Sequence, residues 1–217
     1  MRTSPFVLQG VVFDIDGVIF DSRKANINYY NMIRKSVGLP SMSDDDEEYC
    51  SMASARQSYE RIIPPELRAA AIAAQQNCKY TEHVIPQLSL ESGFLETLMW
   101  LQDWGIRLGV STNRANGVRE LLRYFGIGSF FDPVKTAASC APKPSPQGLL
   151  EISEEWGIPV ANMAFLGDSI TDYMAAMAAG VPFWSFKNPK LIADLHATDY
   201  FSFMDTIKDY VEREEVM

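Results

Sequence analysis

No stretch of this sequence is apolar for long. The longest nearly apolar run, Tyr173 to Trp184, spans about a dozen residues and carries Gly180 and Pro182. A membrane helix needs about 20, so no membrane partner is expected. The apolar run after Arg2 is interrupted by Gln9, ends at Asp14 and lacks a small-residue cleavage pattern. It does not read as a signal peptide. Cysteine is scarce: Cys50, Cys78 and Cys140 are an odd, widely spaced set without a C-x-x-C pair. Neither a disulfide framework nor a zinc site follows from them, and a reducing cytoplasm is the simplest compartment. Positive charge is in deficit, with 19 Lys and Arg against 28 Asp and Glu, a net charge of −9. Without a basic stripe the chain makes a poor nucleic-acid binder, because phosphate neutralisation supplies most of that affinity. The sequence has no G-x-x-x-x-G-K-[ST] and no G-x-G-x-x-G, so P-loop and dinucleotide readings find no support.

What is present suits a folded α/β protein. Apolar residues make up 47% of 217, enough for a substantial core. Gly10–Phe13 reads as a short buried strand running into Asp14-Ile15-Asp16-Gly17. Residues 22–91 then carry helical patterns and no evident strand: Ala25 to Val37, Ala55 to Ile63, and the Ala-rich run from Pro65 to Lys79. From Gly93 onward strands and helices alternate. Strands are expected at Ile106 to Val110, Met163 to Leu166 and Pro182 to Phe186. Helices are expected around Phe94, Leu98 and Leu101, over Val118 to Phe125, and at about Ser145–Trp156, Asp172–Ala179 and Phe203–Arg213. Alternation of this kind predicts a Rossmann-like parallel sheet with helices on both faces. The opening strand belongs to that sheet, so residues 1–21 and 92–217 form the core. Residues 22–91 form an inserted α-helical cap subdomain.

Polar residues gather where the predicted strands end: Asp14 and Asp16, Thr112 and Asn113, and Asp168. In an open α/β sheet that edge is where ligands bind. Alternate strand residues face one side, so Asp14 and Asp16 can share a site. Two carboxylates so close repel, and a divalent cation relieves the repulsion. Asp168 adds a third. An all-oxygen site with few protein ligands suits Mg2+, which keeps several waters and takes phosphate oxygens. Each residue also has a plainer reading. A lone Asp after a strand can be a turn residue, Lys143 between two prolines can be a solvated loop lysine, and Asp172 can cap the helix that follows.

The combination is what carries meaning. Asp14-Ile15-Asp16-Gly17-Val18-Ile19-Phe20-Asp21-Ser22 resembles the D-x-D-G-x-x-x-D-S opening of the haloacid-dehalogenase-like hydrolase superfamily. Thr112-Asn113 after a strand is similar to that family's second motif, and Lys143 in Ala-Pro-Lys-Pro-Ser-Pro to its third. Gly167-Asp168-Ser169-Ile170-Thr171-Asp172 is similar to the fourth, G-D-S-x-x-D. A helical insertion between the first two motifs resembles the cap of the phosphoglycolate-phosphatase and β-phosphoglucomutase branch.

The resemblance implies a Mg2+-dependent phosphatase acting on a small phosphorylated metabolite. Asp14 would be the nucleophile, forming an aspartyl-phosphate. Asp16 would protonate the leaving oxygen and later deprotonate water. Metal ligands would be Asp14, the backbone carbonyl of Asp16, and Asp168. Thr112 and Lys143 would serve the transferring phosphoryl group, and Asp172 would orient Lys143 or a metal-bound water. Asn113 would join the phosphate pocket or fix its own loop. Asp16 argues for an oxygen leaving group, since haloacid dehalogenases, which expel halide, lack an acid there. A β-phosphoglucomutase-type phosphomutase and a non-catalytic phosphate binder of the same fold are the alternatives.

The insertion holds eight bases and nine acids, five of them in the run Asp44–Glu48. Read as a solvated face, that run leaves the remainder basic, which suits an anionic substrate. Ser54-Ala55-Arg56-Gln57-Ser58 resembles a substrate-contacting cap loop, which makes Arg56 a substrate-binding candidate. Hinges are expected near Asp21–Ser22 and Leu90–Gly93. His83 and His196 lack any partner pattern. Cys140 lies near Lys143 but has no adjacent base. Oligomeric state is not readable.

Overall fold

The computed structural model describes residues 7–52, 55–77 and 80–212. Arg2, Ser54, Cys78, Lys79 and Arg213, all named above, lie outside them. The chain divides into two compact units: Asp21–Ser89, and the described residues up to Phe20 and from Leu90 onward.

The larger unit is built on a six-stranded, wholly parallel sheet. Its strands are β1 (Gly10–Phe13), β4 (Arg107–Thr112), β5 (Val134–Thr136), β6 (Met163–Gly167), β7 (Phe183–Phe186) and β8 (Leu195–Ala197). Two further strands, β2 (Phe20–Asp21) and β3 (Ser89–Leu90), form a separate two-stranded sheet where the chain passes between units. The sequence reading missed β2 and β3, and it missed β5 and β8. Each of these is only two or three residues long, too short to display alternation.

Strand order in the main sheet is β5-β4-β1-β6-β7-β8. From central β1 the sheet grows outward one way through β4 and β5, then resumes on the other side with β6. The carboxyl end of β1 is therefore a topological switch point, where the flanking connections leave in opposite directions and open a crevice. Register aligns Phe13 with both Val110 and Leu166. The residues that follow the three strands thus emerge at one edge.

Alternation along β1 sends Val12 and Phe13 to opposite faces. Val12 joins Phe165, Phe183 and the helices α8 (Gln147–Trp156) and α9 (Ile170–Ala179) through Leu149, Ile152, Trp156, Ala175 and Ala176. Trp156 lies directly on the sheet, since a Cβ on Gly10 would come within 2.5 Å of its ring and one on Gly109 within 2.9 Å. Both strands need glycine there to admit the indole. Phe13 packs edge-on against Phe94 and Phe131, and Tyr200 packs at a tilt against Phe94 and Phe186. These rings belong to the face covered by α6 (Phe94–Asp103) and α10 (Tyr200–Glu212). Helix α7 (Val118–Tyr124) connects β4 to β5.

The smaller unit is helical: α1 (Arg23–Ser36), α2 (Asp44–Met52), α3 (Ala55–Ile62), α4 (Arg68–Asn77) and α5 (Tyr80–His83). Ile33, Met42, Ile62, Ile63 and Ala71 form its core. The acidic run opens α2, which its lack of apolar periodicity concealed. Carboxylates in a first turn favour the helix dipole, so the run has a structural use beyond solvation. Among the described residues no helix is long and apolar enough to cross a membrane.

Candidate active site

Every site residue proposed from the sequence, Arg56 excepted, belongs to the larger unit. Asp14 directly follows β1, and its N–H still donates to Leu166 O at 3.0 Å, so the ladder holds the nucleophile candidate's backbone in place. Its carboxylate is buried and accepts a hydrogen bond from Lys143 Nζ at 2.7 Å. The same ammonium donates to Asp172 Oδ1 at 2.5 Å. Lys143, read alone as a solvated loop residue, is instead a buried cation between two carboxylates. Burial opposes its charge, but Asp14 and Asp172 outweigh that and hold its pKa above the ordinary lysine value.

Asn113 fixes the lysine from the backbone side. Its Oδ1 accepts from Lys143 N–H at 2.7 Å, and its Nδ2 donates to Lys143 O at 3.0 Å. Both ends of the amide are engaged with that loop, matching the second of its two sequence readings. Thr112, the last residue of β4, is buried, and its Oγ1 accepts from the Arg114 N–H at 3.2 Å.

Asp172 combines the capping and orienting readings. Ser169 caps α9, its Oγ accepting from Asp172 N–H, while Asp172 Oδ2 accepts from the Ser169 N–H at 3.0 Å. This reciprocal box anchors the helix start. It also locks the carboxylate so that Oδ1 faces Lys143.

Asp14, Asp168 and Asp172 bring carboxylate oxygens within 4.8 Å of one another. Among the described residues no hydrogen bond reaches the Asp168 carboxylate, whereas both Asp172 oxygens are committed. Asp14 and Asp168 are thus the side chains best able to ligate a cation. Gly17 makes the approach feasible: a Cβ there would lie 2.2 Å from Asp168 Oδ2, at a φ of +75° that side chains disfavour. Asn188 Nδ2 donates to the Asp168 carbonyl at 2.8 Å and steadies that loop.

The electrostatics of the site are dominated by buried carboxylates. Burial, first, and then the neighbouring Asp172 and Asp16 raise Asp14 to about 7 against the pull of Lys143. Burial and the carboxylates of Asp172 and Asp14 likewise push Asp168 well above its ordinary value. One buried ammonium does not neutralise so many carboxylates. A hard divalent cation among oxygen donors fits this deficit.

Asp16 lies near enough to Asp14 for its charge to raise that carboxyl, and it is paired with a base. Its two oxygens accept from Arg114, Oδ2 from Nε and Oδ1 from Nη2, each at 2.6 Å. Arg114 is the site residue that sequence reasoning missed. Its signal was a lone base immediately after Thr112-Asn113. Arg56 lies on α3, a helix rather than a loop. Its side chain is 85% exposed and pairs with Glu60 one turn on, at 2.8 Å. The Cys140 thiol, partly buried, is pushed up by desolvation, the opposite of activation. His83 and His196 are exposed.

Comparisons with known proteins converge on one family. The model of the haloacid dehalogenase-like hydrolase family matches residues 11–186. A phosphoglycolate phosphatase of Thiobacillus denitrificans is 26% identical, with 84% of each chain covered. The Escherichia coli phosphoglycolate phosphatase is 28% identical over 81% of this chain and 79% of its own. A solved hydrolase of the same superfamily, subfamily IA, from Geobacter sulfurreducens superposes with a TM-score of 0.80 at 33% identity, covering 92% of this chain and 100% of that one. A β-phosphoglucomutase from Clostridium difficile, with a TM-score of 0.77 at 19% identity over 97% and 100% of the two chains, shares the fold.

Proposed function

The chain belongs to the haloacid dehalogenase-like hydrolase family and is a phosphatase of it; we propose that it hydrolyses a small phosphomonoester with Mg2+ through an aspartyl-phosphate on Asp14. The observation that carries this is the buried Asp14–Lys143–Asp172 array with the carboxylate of Asp168 beside it. Asp14, Asp168 and the Asp16 carbonyl would hold the metal. Bound there, Mg2+ supplies positive charge that offsets the repulsion between nucleophile and phosphoryl oxygens.

The chain's own groups do the rest. Asp14 presents a carboxylate oxygen to phosphorus from a backbone fixed by the sheet. Lys143 neutralises charge on Asp14 and on the transferring group, held at its backbone by Asn113 and at its ammonium by Asp172. The Thr112 hydroxyl donates to a phosphoryl oxygen. Asp16, which must carry a proton when substrate binds, delivers it to the leaving oxygen and regains one from the water that attacks the phosphoenzyme. The helical unit serves as the cap that selects the leaving group, with Arg56 as a substrate contact and movement at the two crossings between units. Three cysteines without a pairing pattern support a cytoplasmic setting.

Relatives named phosphoglycolate phosphatase make 2-phosphoglycolate the first substrate to assay. Phosphate release is expected with Mg2+, and its loss with chelator and with Asp14→Asn. Turnover retained by Asp14→Asn would eliminate Asp14 as the nucleophile.

A further inference from the structure

Among the described residues Lys187 is the only one other than glycine with a positive φ, +53°. Such a backbone is strained for a residue with a side chain and persists where its surroundings over-determine it. Here they do. The Lys187 N–H donates to Ala197 O at 2.7 Å, and its ammonium pairs with Glu91 at 2.6 Å. The left-handed turn then delivers Asn188. Ser185 Oγ donates to the Asn188 carbonyl at 2.6 Å, and Asn188 Oδ1 accepts from the Lys190 N–H at 3.2 Å. Asn188 Nδ2 grips the Asp168 carbonyl at 2.8 Å.

Followed from Glu91, these contacts close a ring. The Glu91 N–H donates to Ile19 O at 3.0 Å, which anchors it to the segment continuing from Asp14. Its carboxylate, with a side chain only 10% exposed, holds Lys187. Lys187 leads to Asn188, Asn188 to Asp168, and Asp168 meets the first segment again at Gly17. The ladder between β1 and β6 does not do this work, because it ends at the Asp14 N–H and Leu166 O, short of Asp168. Resting on the reading of Asp14 and Asp168 as metal ligands, we propose that the Lys187–Asn188 turn is a brace that sets the spacing of those two ligands and so favours Mg2+ over Ca2+. Mg2+ demands a near-ideal octahedron with oxygens at about 2.0–2.1 Å, whereas Ca2+ accepts irregular shells at about 2.3–2.6 Å. A site free to widen loses the smaller ion first. Lys187 and Asn188 are positioning residues that act through Asp168 and have no need to touch the ion.

The test titrates Mg2+ and Ca2+ separately into the full-length protein by calorimetry, with thermal stability followed in parallel. Asn188→Leu cuts the brace at Asp168. It is expected to weaken Mg2+ binding by about tenfold, the lower end for losing a ligand's outer support, and Ca2+ binding far less. Lys187→Gly relaxes the strained φ, so it should keep or gain thermal stability while losing Mg2+ affinity. General destabilisation would not produce that opposition. Glu91→Gln should show a smaller loss, and none on top of Asn188→Leu, since both cut the same brace. Equal weakening of both ions in Asn188→Leu would overturn the proposal. So would unchanged Mg2+ affinity in Lys187→Gly, or additive losses when Glu91→Gln and Asn188→Leu are combined. The metal reading is tested apart from the brace: undiminished Mg2+ affinity in Asp168→Asn would remove that reading itself.

Discussion

Asp168 occupies the space that a side chain on residue 17 would need: a Cβ at Gly17 would stand 2.2 Å from its Oδ2. The two loops that carry the site close on each other through that glycine. Gly17→Ala therefore has two costs, a strained positive φ and a displaced carboxylate. Loss of Mg2+-dependent activity by more than tenfold is expected, since about 1.4 kcal/mol suffices for that factor. Titration of Mg2+ by calorimetry should show a parallel loss of affinity. Unaltered Mg2+ binding in Gly17→Ala would mean that Asp168 is not a ligand.

Lys143 is the counter-ion of two buried carboxylates. Removing one partner of such a group strands the others, typically at about 3–5 kcal/mol. Lys143→Met should abolish turnover and lower stability by about that much at pH 8, measured by urea unfolding without metal. At pH 5 the stranded carboxyls can take up protons, so the deficit should shrink. An equal deficit at both pH values would contradict a charge origin.

Asp14 is raised from 3.8 to about 7, chiefly by burial. A carboxyl raised on folding binds more protons folded than unfolded across that interval. Its contribution to stability is complete below the unfolded value and is lost as pH climbs through about 7. Asp168 shifts in the same direction. Mg2+ must displace those protons, so its affinity should strengthen from pH 5.5 to 8. The upward shift in Tm at saturating Mg2+ should grow over that range. A Tm shift independent of pH would dissociate the metal from these two groups.

Ser169 is both a helix cap and a clamp on Asp172. Ser169→Ala should cost about 1 kcal/mol of stability, the usual value of a lost cap. It should also reduce kcat, because Asp172 then turns more freely about Lys143. Substitution by Thr, which caps nearly as well, should restore both. Restored stability without restored kcat would separate the cap from the catalytic array.

Much of this site could be read from the residues alone, because polar groups at the ends of apolar strands are anomalous wherever they occur. Asp14, Thr112 and Asp168 stand out in that way, and the parallel sheet follows from alternation of strands and helices. Lys143 and Asp172 were ambiguous for a physical reason: a proline-flanked lysine and a first-turn aspartate each have ordinary surface uses. Only folding shows Nζ between two carboxylates. Arg114 escaped notice since a single base carries no periodicity, and its meaning lies wholly in a partner 98 residues away. Likewise β5 and β8 are too short for a pattern. Helix α2 is so acidic that its apolar face is faint, whereas α3 (Ala55–Ile62) falls within the helical pattern read at Ala55 to Ile63.

The central position of β1 has a kinetic consequence. Gly10 pairs laterally with Arg107 and Met163, both far downstream. During synthesis the strand bearing Asp14 waits for about half of the polypeptide to emerge before its first neighbour exists and for about three quarters before its second, while the helices of Asp21–Ser89 have nearby partners from the outset. Distant pairing is slow to nucleate. The edge that carries Asp14 is accordingly among the last features of the molecule to mature, and Val11, Val12 and Phe13 remain apolar surface in need of protection until it does.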